Sequence, residues 1–341
     1  MIQENQYRLL GASGIKVSGL GTGTNRWAQG KNDEAVFQAY QSFVDAGVNF
    51  FDTAEVYNSG KSERLLGACL QRDHRPVVIA SKFAPLPTRL TRRQFMNALD
   101  ASVSRLGVQR IDLYYIHFPY SLLSIETLMD MMAQAVEAGK IRAVGVSNFN
   151  AKQMHQAVTR LARYHIPLAA NQVRYNLLQR QPEENGVLDA CRELNVALVA
   201  YRPLEGGRLK SNTFPGAPSD SPSTDGKGKA SSKEEALQET LEAIAQHRGK
   251  SVTQVALNWL LRRDEHVIPI PGATSERHAL ENADTLSWEL SDDEFAAIDQ
   301  ASSPWKHYTG RESRKFLKGV VNFGVKRWFQ GRSRNSATNS T

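Results

Sequence analysis

Short apolar runs alternate along this chain with segments in which apolar residues recur every three to four positions. The apolar runs span residues 19–23, 48–52, 77–82, 111–117, 143–147, 169–173, 197–201 and 267–271. The helical segments that follow them span residues 34–46, 63–69, 92–106, 125–138, 151–164, 186–194, 252–262 and 275–283. Eight strand–helix repeats predict an α/β fold, a (β/α)8 TIM barrel. A doubly wound sheet is the alternative, but eight repeats without a break in composition favour a closed barrel.

Four segments lie outside this repeat. Residues 7–17, with a turn at 12–14, predict an N-terminal β-hairpin. Residues 211–233 are rich in Ser, Pro, Gly and Lys and predict a long flexible loop, which an extra helix at 236–247 follows. Ser291 and the three acidic residues after it predict the start of a last helix. We therefore place a barrel domain at residues 1–302 and a C-terminal extension at 303–341.

Charge and cysteine content exclude several classes of protein. The net charge is +7, but nine Lys or Arg and one Glu lie from Lys306 onward, so the rest of the chain carries about −1. A nearly neutral body argues against a nucleic-acid groove across the main fold. Cys69 and Cys191 are predicted to be buried free thiols of a cytoplasmic protein, because no secretory signal or membrane-length apolar stretch is evident. No residues fall at metal-ligand spacings, so we expect no metal site.

Four ionisable side chains lie at or just after the ends of three apolar runs. They are Asp52, Tyr57, Lys82 and His117. The carboxyl ends of barrel strands form the rim where active sites are built. A tyrosine with a pKa near 10 becomes a stronger acid beside a lysine ammonium, which an aspartate holds in place. A histidine can orient a carbonyl oxygen, so this set can deliver a proton to a carbonyl, and the hydride requires a nicotinamide cofactor.

The motifs around these residues resemble those of the aldo-keto reductase family. Phe51-Asp52-Thr53-Ala54-x-x-Tyr57, Ser81-Lys82 and Tyr115-Ile116-His117 match its tetrad in order and spacing, and the resemblance spans roughly residues 7–300. It implies that Tyr57 is the acid and that the partner is a small-molecule aldehyde or ketone. The same tetrad occurs in cofactor-sensing regulatory subunits such as the barrel subunits of potassium channels, and this alternative stays open.

The resemblance also implies a site for NADPH, preferred over NADH, that spans several loops. Ser147, Asn148 and Gln172 would bind the carboxamide, and Tyr201 would stack on the nicotinamide ring. The turn of Arg202, Pro203, Leu204 and Gly206 would contact the pyrophosphate, although the family more usually has Ser at position 202. Gly272, Thr274, Ser275, Arg277, His278, Glu281 and Asn282 would hold the adenosine 2′-phosphate end, with His278 where many members have Arg or Gln. Gly21 and Thr22 would bring the first strand close to the cofactor.

Two of these assignments have ordinary structural alternatives. Asn148 or Asn150 would equally serve as a helix cap, and Tyr201 would equally be an ordinary aromatic residue at a strand end.

Further residues are expected to line the substrate pocket or to contact partners. Trp27 and Phe118 are predicted beside Tyr57 and His117, although simple packing explains Trp27 equally well. Trp305 and Tyr308 are expected to border the pocket from the extension. The basic aromatic stretch at 315–334 has the composition of a segment for a membrane surface or an acidic partner. We favour an irregular segment packed on the barrel.

Overall fold

The computed structural model describes residues 6–29, 32–209 and 232–307 of the chain. An antiparallel hairpin of β1 (Tyr7–Leu9) and β2 (Lys16–Ser18) precedes a sheet of eight parallel strands in chain order. These strands are β3 (Thr22–Gly23), β4 (Phe50–Asp52), β5 (Val78–Phe83), β6 (Ile111–Ile116), β7 (Ile141–Ser147), β8 (Leu168–Arg174), β9 (Ala197–Tyr201) and β10 (Val267–Pro269). Backbone hydrogen bonds join the two edges, from Gly21 N–H to the Pro269 carbonyl (3.0 Å) and from Gly23 N–H to the Pro271 carbonyl (3.1 Å). The sheet therefore closes into the predicted TIM barrel.

Helices follow the strands and cover the outside of the barrel. They are α1 (Asp33–Asp45), α2 (Lys61–Arg72), α3 (Arg92–Leu106), α4 (Ile125–Glu137), α5 (Ala151–Ala162), α6 (Val187–Glu193), α7 (Ser232–Arg248), α8 (Val252–Arg263), α9 (Glu276–Asp284) and α10 (Asp292–Ala301). Several start at capping boxes, in which the first side chain accepts from the third helical N–H and the third side chain bonds back; Thr91 with Gln94 and Ser291 with Glu294 are examples. Local sequence thus sets where these helices begin.

Two apolar clusters flank the strands. Inside the barrel, the hairpin residues Leu10, Ile15 and Val17 pack on inward-facing strand residues such as Leu113 and Val199. The hairpin meets the start of the strands, since Ala12 N–H donates to the carbonyl of Asn195, just before β9. A larger cluster fills the space between strands and helices. Each fully buried Leu, Ile or Val contributes about 1.5–3 kcal/mol to the free energy of unfolding. Because the hairpin covers the end of the barrel where the strands start, the rim at the carboxyl ends of the strands is left for a site.

The structure changes some predicted boundaries. Ser232 and Lys233, assigned to the long loop, begin α7, whose first turn is stabilised by two acidic residues. The first barrel strand is only two residues long. Residues 211–231 of the loop, Tyr308 and the stretch 315–334 lie outside the described residues. Cys69 and Cys191 are buried and free, as predicted. Among the described helices, none combines the length and apolar character that crossing a membrane requires.

Candidate active site

Three neighbouring strands bring the four ionisable side chains to one edge of the barrel. Asp52 ends β4, Lys82 is the second-last residue of β5, and His117 directly follows β6. Tyr57 lies in the turn between β4 and α2. Because parallel strands end at the same rim, residues far apart in sequence meet there.

A buried ion pair lies at the centre of this group. Lys82 Nζ donates to Asp52 Oδ1 at 2.5 Å and to the Thr53 carbonyl at 2.7 Å. Gln172 Nε2 donates to the other oxygen of Asp52 at 2.7 Å. Burial lowers the pKa of Lys82 and raises the pKa of Asp52, while the attraction between the two charges opposes both shifts. The hydrogen bonds compensate the desolvation of each ion.

Tyr57 packs against this pair and against His117. The Lys82 ammonium lies 5.2 Å from the centre of the Tyr57 ring, and the ring meets the His117 imidazole edge to face with centroids 6.0 Å apart. Burial, and then the charge of Asp52, raises the pKa of Tyr57 above its ordinary value near 10. This net shift is opposite to the lowering expected from Lys82 alone, because burial disfavours the charged phenolate more than any other influence on Tyr57. Tyr57 is therefore protonated at neutral pH.

His117 is a neutral imidazole in this environment. Burial, and then the charge of Lys82, lowers its pKa to about 3. Its Nδ1 is buried and has no hydrogen-bond partner among the described residues. Because a buried N–H group is rarely left unpaired in a protein, and an acceptor somewhat more often, we assign the proton to Nε2. His117 thus has one N–H to offer to an oxygen atom.

The residues predicted to bind a carboxamide form one hydrogen-bonded group. Asn148 Nδ2 donates to Ser147 Oγ at 3.0 Å, and Ser147 Oγ donates to the Gln172 carbonyl at 2.8 Å. Tyr201 donates its hydroxyl proton to Asn148 Oδ1 at 3.1 Å. The cap of α5 is Asn150, whose side chain accepts from Gln153 N–H at 2.9 Å. Asn148 is therefore not the helix cap, and its Oδ1 and the Ser147 hydroxyl each keep a lone pair for a ligand.

The turn after β9 has an unusual backbone. Arg202, Glu205, Gly206 and Gly207 have φ of 52°, 46°, 68° and 104°. In the part of the chain that the structure describes, the N–H groups of Leu204 and Gly206 have no acceptor. Free N–H groups in a left-handed turn are the kind of groups that can bind an anion.

Two side chains from β8 and the residues after it hold this turn. Arg174 forms an ion pair with the buried Glu205, and Asn176 Nδ2 donates to Glu205 at 2.7 Å and to the Arg202 carbonyl at 2.9 Å. The guanidinium of Arg202 is exposed, 3.7 Å from Glu205, while Pro203 is buried. None of Arg174, Asn176 and Glu205 was predicted as a site residue from the sequence, although Arg174 is a charged residue that directly follows an apolar run.

The start of α9 gathers the groups predicted for a 2′-phosphate. Ser275 caps the helix, and its Oγ lies 3.1 Å from His278 Nδ1. Arg277 Nη2 lies 3.1 Å from His278 Nε2, so the two neighbouring side chains converge although their helical positions differ by about 100°. A helix N-terminus with an adjacent guanidinium favours an anion. Nearby, Gly272 and Thr274 are exposed, Glu281 is partly exposed, and Asn282 is buried.

Three predicted residues serve the barrel wall. Gly21 bonds β3 to β10, and Thr22 Oγ1 donates to the Pro271 carbonyl at 3.0 Å. Trp27 is 1% exposed, lies edge-on to Phe51, and donates its Nε1–H to the Ala273 carbonyl at 2.7 Å. Trp27 therefore offers almost no surface to a substrate, and its position agrees with simple packing, not with lining the pocket.

Of Phe118 and Trp305, both predicted to border the substrate pocket, only Phe118 lies beside the tetrad. Phe118 packs with Ala84, Leu86 and Val56 in a small cluster apart from the two main cores, with its ring 5.7 Å from His117. Trp305 is buried in the cluster between strands and helices, and its carbonyl accepts from the Arg180 N–H at 3.4 Å. Phe118 remains beside the site, whereas Trp305 packs on the barrel.

Known proteins match this chain over most of its length. The sequence model described as "Aldo/keto reductase family" matches residues 19–303. The chain is 34% identical over 318 residues to the chloroplastic pyridoxal reductase of Arabidopsis thaliana, covering 84% of each. It is 30% identical over 317 residues to L-glyceraldehyde 3-phosphate reductase of Escherichia coli strain K12, covering 86% of this chain and 92% of that protein. The solved structure of an aldo-keto reductase from Klebsiella pneumoniae in complex with NADPH gives a TM-score of 0.73 at 26% identity, covering 90% of this chain and 97% of that one.

Proposed function

The chain belongs to the aldo/keto reductase family, and we propose that it is an NADPH-dependent enzyme that reduces an aldehyde or a ketone to the alcohol. The observation that carries this proposal is the buried Lys82–Asp52 pair beside a protonated Tyr57 and a neutral His117. Both neutral groups hold a proton that they can share with a carbonyl oxygen. The K. pneumoniae relative bound to NADPH supports the choice of cofactor.

The residues along the rim fit a nicotinamide dinucleotide. The spare lone pairs of Ser147 and Asn148 suit the N–H groups of a carboxamide. The free N–H groups of Leu204 and Gly206 suit a pyrophosphate. When bound, NADPH supplies the hydride that the carbonyl carbon accepts.

The four rim residues would then manage the proton. His117 Nε2–H would hydrogen-bond the carbonyl oxygen and orient it. Tyr57 would transfer its phenolic proton to that oxygen as negative charge develops there, and the Lys82 ammonium would stabilise the phenolate that remains. Asp52 would keep the ammonium charged and fixed. Transfer of the hydride and the proton to the carbonyl group gives the alcohol and the oxidised cofactor.

Steady-state consumption of NADPH with a panel of aldehydes and ketones tests this function. Tyr57→Phe should lower kcat by about 10²–10⁴-fold, because the proton donor is lost, while the Kd for NADPH stays unchanged. Tyr164→Phe is the matched control, since it removes an exposed hydroxyl bonded to Asp130. Tight NADPH binding by the wild-type protein without turnover would overturn the proposal and favour a cofactor-sensing subunit.

We further propose that Arg277 and His278 select NADPH over NADH. A guanidinium bound to a phosphate contributes about 1.5–3 kcal/mol, so Arg277→Ala should raise the Kd for NADPH by roughly 10–150-fold. The Kd for NADH should hardly change, because it lacks the phosphate. Fluorescence titration with both cofactors measures this, and an equal loss for both would refute the assignment.

A further inference from the structure

The turn that carries Tyr57 has a backbone that needs support. Asn58, Ser59 and Gly60 have φ of 47°, 54° and 80°, so three consecutive residues are left-handed. Residues other than glycine rarely adopt this conformation and are strained by it unless their surroundings hold them. Within the turn, Lys61 N–H donates to the Asn58 carbonyl at 3.1 Å. This strained segment begins at the residue directly after the proposed proton donor.

The side chain of Arg105 lies across this turn. A Cβ at Gly60 would be 2.6 Å from both Cδ and Nε of Arg105, so only glycine leaves room for that side chain. Arg105 comes from the last turn of α3 and also donates from Nη2 to Ser102 Oγ at 3.0 Å. The guanidinium of Arg105 therefore covers the turn from outside the barrel.

A fully buried carboxylate connects Arg105 to the strand of Lys82. Glu63 in α2 accepts from Arg105 Nε at 2.6 Å through one oxygen and from Ser81 Oγ at 2.6 Å through the other. Glu63 and Ser81 have no exposed surface. Ser81 precedes Lys82 on β5, and the charge of Glu63 opposes the lowering that burial imposes on the pKa of Lys82. One carboxylate thus ties the turn of Tyr57 to the strand of Lys82.

We propose that Glu63 and Arg105 act as a positioning pair, which sets Tyr57 relative to Lys82 without touching substrate or cofactor. This role rests on the proposed reduction. A buried carboxylate that only stabilised the fold would not need to contact both the strand of the lysine and the arginine that lies across the turn of the tyrosine. The pair instead fixes the position of the Tyr57 phenol relative to the Lys82 ammonium, which stabilises the phenolate that forms as the proton leaves.

Glu63→Gln tests the pair, with Glu183→Gln as the matched control. The side chain of Glu183 is also buried and paired with two arginines, Arg180 and Arg263, in a short 3-10 helix after β8. With NADPH and 4-nitrobenzaldehyde, Glu63→Gln should lower kcat about 10-fold, with KM and the Kd for NADPH within about two-fold. The alkaline limb of its kcat–pH profile should move to lower pH, because Lys82 loses a neighbouring negative charge. Glu183→Gln should show neither change.

Arg105→Met and Arg105→Lys keep the test valid if Glu63→Gln fails to fold. The lysine retains the charge beside Glu63 and should recover most of the kcat that the methionine loses. Hydrogen–deuterium exchange of residues 57–62 adds a measurement that does not depend on turnover. It therefore distinguishes a failure of the positioning role from a failure of the proposed reduction. Exchange should speed up in Glu63→Gln and Arg105→Met but not in Glu183→Gln. An unchanged kcat, equal effects of both arginine replacements, or unchanged exchange would overturn the proposal.

Discussion

Asp52→Asn should destabilise the protein by an amount that shrinks as the pH rises. The substitution removes the counter-charge of a lysine that has no exposed surface. It also places an amide N–H₂ where Gln172 Nε2 donates, or forces the amide to turn its oxygen away from Lys82. Since Asp52 opposes the lowering of the pKa of Lys82, its loss moves that pKa further down, and Lys82 becomes neutral in the folded state.

The size of the effect follows from proton linkage. An unfolded lysine has a pKa near 10.4, so holding it neutral at pH 7 costs about 4–5 kcal/mol of the free energy of unfolding. Removing one partner of a buried ion pair costs about 3–5 kcal/mol, which agrees. Unfolding of the variant takes up a proton on Lys82, so a higher pH opposes unfolding. The deficit, which is the free energy of unfolding that the variant loses relative to the wild-type protein, should therefore narrow by about 1.4 kcal/mol per pH unit. This applies at pH values between the pKa of Lys82 in the variant and its pKa in the wild-type protein.

Urea denaturation at pH 7, 8 and 9, followed by tryptophan fluorescence, measures this deficit. Glu34→Gln is the control, because it removes a partner of Arg72 from a pair that is about half exposed. Its effect should be small and the same at each pH. A constant deficit for Asp52→Asn would refute the reasoning, since it would mean that Lys82 keeps its proton without a counter-charge.

The sequence predicts the barrel and the meeting of the tetrad because both depend on local order. Apolar runs that alternate with helical periods specify parallel strands, and parallel strands end at one rim. Any ionisable residue that follows such a run is thus brought to that rim. Asp52, Lys82 and His117 met this condition, and no tertiary detail was needed to bring them together.

Side-chain direction could not be predicted in the same way. Trp27 lies in a short turn whose orientation depends on the helices packed around it, and it points into the core. The side chains of Arg277 and His278 meet at 3.1 Å, a contact that helical geometry alone does not specify. From the sequence, Glu63 is expected to be an ordinary polar residue of an amphipathic helix. Only the packing of α2 between β5 and α3 reveals its burial.

Two further outcomes test the environment of the tetrad. The imidazole signals of His117 should not titrate between about pH 4.5 and 8 by NMR, since its pKa is about 3, and a midpoint near 6.5 would contradict its burial. Gly145→Ala should lower the free energy of unfolding by about 1–3 kcal/mol, because its Cβ would lie 2.5 Å from the ring of Tyr115. Gly139→Ala meets nothing within 4 Å and is strained only by its φ of 68°. Since the Tyr115 ring lies 5.6 Å from Lys82 Nζ, only the change at Gly145 should also lower kcat, and equal kcat losses would refute this coupling.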